Sequence, residues 1–104
     1  MKSIYIAGPM TGYPEHNFPA FQAEAAFWRA VGWNVVSPAE LDGDVPHDEL
    51  AKLPWQDYLR RDLKFLVDCD AIALLSGWEL SRGASLEFDV AQRLGFEIYY
   101  PVGE

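Results

Sequence analysis

The sequence is poor in the residues that build several large classes of site. Its 104 residues include one cysteine, Cys69, which rules out an internal disulfide framework and suits a reducing cytoplasm. The two histidines, His16 and His47, have no third ligand at metal spacing, so no metal centre is implied. Basic residues number 8 against 16 acidic ones, giving a formal charge of −8 and a pI near 4.6. That balance argues against a nucleic-acid polymer or an anionic membrane as partner. No apolar run is long enough to span a bilayer, and nothing at the N-terminus resembles a signal peptide. The G-x-G-x-x-G dinucleotide fingerprint and the Gly-Lys-Ser/Thr of a P-loop are missing, and no cofactor is implied. No histidine stands where it could activate Ser76, Ser81 or Ser85, which disfavours a serine hydrolase. Asp42, Asp44, Asp48 and Glu49 fit no calcium loop and read as a solvated face.

What remains is a chain with 50% hydrophobic residues, enough for one core, and residues 1–104 are expected to form one domain. Ser3–Ala7 is a short β-prone run stopped by Gly8-Pro9. After a loop through His16, Asn17 is placed to cap a helix of about Phe18 to Val31 that Gly32 ends. Trp33–Ser37 reads as a second strand, and Pro38–Pro54, rich in Asp, Glu and Pro, as a long loop. Trp55–Asp68 has helical period, Asp70–Leu75 is a continuous apolar run of the central-strand type, and a helix over Gly83–Leu94 precedes a last strand, Phe96–Tyr100. This alternation implies an α/β fold with right-handed crossovers and a mostly parallel sheet of four to five strands covered by helices on both faces.

Ligands of such sheets bind outside the carboxyl ends of the strands. Two loops at that edge have unusual content. Gly8-Pro9-Met10-Thr11-Gly12 permits close backbone approach and adds a hydroxyl; Ser76–Ser85 supplies Trp78, Ser81, Arg82, Gly83 and the start of a helix. Trp78 could stack on a planar base.

Two carboxylates break the helical patterns at the same edge. At 100° per residue, Glu87 falls within the apolar face of Ala84, Phe88, Val90, Ala91 and Leu94. Asp62 falls among Trp55, Tyr58, Leu59, Leu63, Phe65 and Leu66. Taking an unpaired carboxylate out of water costs several kcal/mol to order of magnitude. Two of them in a cleft are the equipment of glycosidic chemistry, one attacking or stabilising an oxocarbenium-like carbon and the other handling the leaving-group proton. The competing reading, a helix-shoulder carboxylate or a partner for Arg60, Arg61 or Arg82, stays open for each.

Tyr5–Gly12, Arg61-Asp62-Leu63, Asp70-Ala71 and Ser81-x-Gly83-Ala84-x-x-Glu87 together resemble the nucleoside 2-deoxyribosyltransferase superfamily, which includes the 2′-deoxynucleoside 5′-monophosphate N-glycosidases. Nearly the whole chain takes part, and the nearest form is similar to a small branch frequent in phages and prophages. The resemblance implies a flavodoxin-like (Rossmann-like) three-layer sandwich, usually a homo-oligomer in which neighbours complete each site. It implies Glu87 as the nucleophile on the anomeric carbon, Asp62 as the base-contacting acid, and Tyr5 as the residue that orients the glutamate. Ser81 takes the place of a phosphate-contacting serine, and the partner implied is a small-molecule nucleoside or nucleotide. Pro9 and Thr11 depart from the serine and arginine that monophosphate-specific members carry in the first loop. The alternative is a nucleotide-binding or sensing module that uses the same pocket without chemistry.

Overall fold

A computed structural model describes residues 2–41 and 54–101. His47, Asp42, Asp44, Asp48 and Glu49 lie outside the described residues, as does most of the 38–54 loop. In chain order the elements are β1 (Ser3–Ala7), α1 (Phe18–Ala30), β2 (Asn34–Val36), α2 (Pro38–Leu41), α3 (Trp55–Leu66), β3 (Ala71–Leu74), α4 (Arg82–Arg93) and β4 (Glu97–Tyr99). Single 3-10 turns, Pro14–Asn17 and Trp78–Leu80, precede α1 and α4. The four strands form one parallel sheet in the order β2-β1-β3-β4, with Tyr5 opposite Val36 on one side and Ile72 on the other.

Alternation along the strands divides the core between the two faces of the sheet. Ile4 and Ile6 of β1, with Ala71 and Ala73 of β3, meet Phe21, Ala25 and Trp28 of α1. Tyr5 and Ala7, with Ile72 and Leu74, meet Leu66 of α3 and Ala84 and Ala91 of α4. The result is the expected three-layer α/β sandwich, with both faces of the parallel sheet covered. Cys69 packs into the second layer, where burial, then Asp70 and Asp68, push its thiol up to about 11. No described helix is long and apolar enough to cross a membrane.

The turns out of α1 and α4 use the same device. Gly32 and Gly95 take left-handed φ values of 98° and 80°. The amides of Gly32 and Trp33 return to the carbonyls of Arg29 and Trp28, and those of Gly95 and Phe96 to Gln92 and Ala91. These are Schellman closures, and each turns the chain from a helix directly into the next strand.

Three expectations need correction. The 38–54 stretch does not start as a loop, because Pro38 opens the short helix α2, in which the amides of Glu40 and Leu41 bond to Ser37 O. Asn17 occupies the N-cap position of α1 but does not cap it with its side chain; its backbone is left-handed, and its amide Nδ2 donates to Pro9 O at 2.9 Å. That bond ties the first loop to α1 across a run of three left-handed residues, Glu15, His16 and Asn17. Phe65 and Leu94, assigned to apolar faces, are exposed: at the end of α3 it is Leu66, one residue on, that enters the core, and Leu94 is the C-cap that follows the last turn of α4.

Candidate active site

The site is built on the sheet face shared by α3 and α4. Residue 5 sits mid-strand and points into that layer, which carries the Tyr5 ring under α4. Ser81 starts α4: its Oγ accepts from the Ala84 amide at 3.2 Å, so the helix begins with a side-chain cap that fixes its first turn. One and a half turns further on, Glu87 is directed inward. It is 5% exposed, and the Tyr5 hydroxyl donates to its Oε2 at 2.5 Å.

Asp62 stands on the neighbouring helix α3, its side chain 14% exposed, with Arg61 Nε and Nη2 donating to Oδ1 at 3.1 and 2.8 Å. The four groups act on one another. Burial pushes the Glu87 carboxyl up to about 8, the Tyr5 hydrogen bond opposes this, the Asp62 charge adds to it, and the Arg61 charge reduces it. Burial, then the Glu87 and Asp62 charges, hold the Tyr5 hydroxyl well above its ordinary range, so it stays a donor. The two carboxylates singled out by sequence pattern are therefore neighbours in space as well.

In the sequence Arg61 has no role beyond a possible ion pair and a place in the Arg61-Asp62-Leu63 segment. Its charge reaches both Glu87 and Tyr5, and the only sequence signal for this was a cation immediately preceding an inward-facing Asp.

The first loop lies at the carboxyl edge of β1, next to the loop that follows β3. A Cβ on Gly8 would stand 2.7 Å from Leu75 Cβ, so only glycine permits this approach of the two strand ends. Pro9 is buried, Met10 half-buried and packed beside Phe21 and Leu75, and Thr11 and Gly12 are exposed at the tip. Gly83 lies beside Trp55, and the Arg82 guanidinium stacks 4.0 Å from the Trp55 ring centroid, which joins the N-termini of α3 and α4. Trp78 is half-buried, its ring 4.7 Å from Phe88 and 6.4 Å from Tyr100. The structure thus brings Tyr5, Asp62 and Glu87 together; Trp78 stands in an aromatic cluster with Phe88 and Tyr100 that packs against the same core layer, and Thr11 and Gly12 stand at the loop tip.

Comparison with solved structures shows the fold that the chain shares. The chain is similar to the 2-desoxiribosyltransferase from Leishmania mexicana, with 20% identity and a TM-score of 0.69 over 96% of this chain and 63% of that one. It is also similar to the 2-deoxyribosyltransferase from the psychrotolerant bacterium Bacillus psychrosaccharolyticus, with 21% identity and a TM-score of 0.72 over 98% of this chain and 74% of that one. The chain shares the fold of these two proteins, and it spans less than two thirds of the Leishmania protein's length. By sequence the chain belongs to the family described as "Domain of unknown function (DUF4406)", which matches residues 2–100. No protein of curated function matches it in sequence.

Proposed function

We propose that this protein opens the N-glycosidic bond of a (deoxy)nucleoside or nucleoside 5′-monophosphate. The observation that carries the reading is a carboxylate, Glu87, buried under α4, oriented by Tyr5 and electrostatically coupled to a second carboxylate, Asp62. A glutamate Oε of Glu87 attacks the anomeric carbon and forms an ester as the bond to the base nitrogen breaks. The electron pair leaves with the base, which takes up a proton handled by Asp62. Water, or a second base, then attacks the same carbon and releases Glu87; two displacements return the original configuration. Tyr5 fixes which carboxylate oxygen is free to attack. Gly8, Pro9, Met10, Thr11 and Gly12, with Ser81 and Gly83, frame the sugar side, and Trp78 the base side. Similarity in fold to two deoxyribosyltransferases supports the substrate class.

The burial of Glu87 favours a non-catalytic nucleotide-binding module instead: it raises the carboxyl and so favours the neutral acid, which is a poor nucleophile. Incubation with a panel of nucleosides and nucleoside monophosphates separates the two readings when free base and thermal stability are measured together. Catalysis releases base and Glu87→Gln abolishes the release. The binding module shows ligand-dependent stabilisation with no base released.

A further inference from the structure

Arg61 and Asp62 are consecutive residues of α3, and consecutive side chains of a helix stand about 100° apart and do not ordinarily face each other. These two are nevertheless joined. The Arg61 side chain folds back so that Nε and Nη2 both donate to one oxygen, Asp62 Oδ1, at 3.1 and 2.8 Å. Two donors on a rigid planar fork, converging on one acceptor, fix the carboxylate's orientation more firmly than a single bond. Tyr58, one turn earlier on the same helix, braces the bend: the guanidinium carbon lies 5.5 Å from its ring centroid. Both members of the pair are partly withdrawn from water, their side chains being 31% and 14% exposed, whereas the preceding Arg60 is an exposed residue. Solvent and salt therefore screen this pair less than a surface pair. Glu87 of α4 accepts from Tyr5 of β1, and the charges of Arg61 and Asp62 act on both groups from α3. Among the described residues Arg61 is the one cation acting on the Glu87 carboxyl.

We propose that Arg61 is a positioning residue of this site: it fixes the plane of Asp62, so that Oδ2 serves the leaving base, and it cancels the Asp62 charge, so that Glu87 is the one net charge facing the sugar. The assignment rests on the glycosidic reading of Glu87 and Asp62. Arg61 acts through those two carboxylates. The anomeric carbon turns cationic as the base leaves, and a single anion opposite a neutral ion pair stabilises it. Without the guanidinium two carboxylates would share the site, and like charges oppose each other's ionisation. When the bond breaks, its electron pair leaves with the base nitrogen. A proton from solvent reaches that nitrogen by way of Oδ2, and Asp62 ends as the anion it was, still held by Arg61 at Oδ1.

Two measurements on the full chain test this. In the free protein, carbon NMR follows the Glu87 carboxyl against pH. Arg61→Met should move the midpoint upward by about one pH unit, because a cation that favours the carboxylate is gone; Arg61→Lys keeps the charge and should leave the midpoint near the wild-type value. The second measurement is kcat and KM against pH on any nucleoside or nucleoside monophosphate that yields free base. The rising limb should follow the same two results, and Arg61→Lys, which has no fork, should lower the plateau of kcat about tenfold or more without raising KM. A purely structural role would lower the thermal transition and leave midpoint and limb in place. Arg61→Lys decides the matter if Arg61→Met fails to fold. A Glu87 midpoint unmoved in Arg61→Met, or an Arg61→Lys protein as fast as the wild type, overturns the proposal. Base released from no substrate, with the midpoint still moved by Arg61→Met, overturns the glycosidic reading while supporting the placement of Arg61.

Discussion

In the native chain Glu87 gives up its proton near pH 8 rather than near 4.5, because burial outweighs the help of the Tyr5 hydroxyl. The sign of the consequence for stability follows from proton counting. Between those two pH values the folded state holds a proton that the unfolded state has lost, so stability falls as pH rises through the window and is lowest above 8. Glu87→Gln removes that loss. It should be more stable than the wild type at alkaline pH, by on the order of a few kcal/mol, and indistinguishable near pH 4; thermal melts across pH measure the difference. Reactivity runs the other way, since attack needs the ionised form. For the reaction proposed here, kcat/KM should rise with pH and level off above about 8. Tyr5→Phe removes the donor that favours the carboxylate, so the rising limb should move to higher pH by about one unit, with a lower plateau. An unmoved limb would mean that Tyr5 does not act through Glu87.

The elements show which parts of the fold local pattern could reveal. Strand and helix order was legible because each strand is short, apolar and ended by Gly or Pro, and because α3 and α4 keep a clean 3.6-residue period apart from one carboxylate each. Those two exceptions, Asp62 and Glu87, are the same residues whose charges act on one another between α3 and α4. Less legible were features set by tertiary contact. Asn17 looked like an N-cap, but Pro9 O claims its side chain. Trp78 looked free to stack on a base, but Phe88 and Tyr100 lie against it. Ser81 is the opposite case: its position suggested a ligand contact, and its oxygen already serves the helix. Ser81→Ala should therefore cost about 1 kcal/mol of stability in a denaturant melt, even without substrate. Gly8→Ala should cost about 1–3 kcal/mol, because its Cβ would stand 2.7 Å from Leu75 Cβ within the backbone frame of two strand ends. A Gly8→Ala protein as stable as the wild type would show that the loop can shift without cost.

At the scale of the whole molecule, a parallel sheet in the order β2-β1-β3-β4 gathers the Gly8–Gly12 loop, Ser81 and the N-termini of α3 and α4 at one edge. The fold is shared with deoxyribosyltransferases, but a fold hosts many chemistries, and it is Glu87, Asp62 and Tyr5 rather than the architecture that point to glycosidic cleavage. The most direct measurement is intact-mass spectrometry of the protein quenched during turnover of any nucleoside or nucleotide from which it releases base. The account predicts a wild-type species heavier by one sugar or sugar-phosphate unit, with the addition located on Glu87 and absent from Glu87→Gln. Base release by Glu87→Gln at the wild-type rate would contradict it.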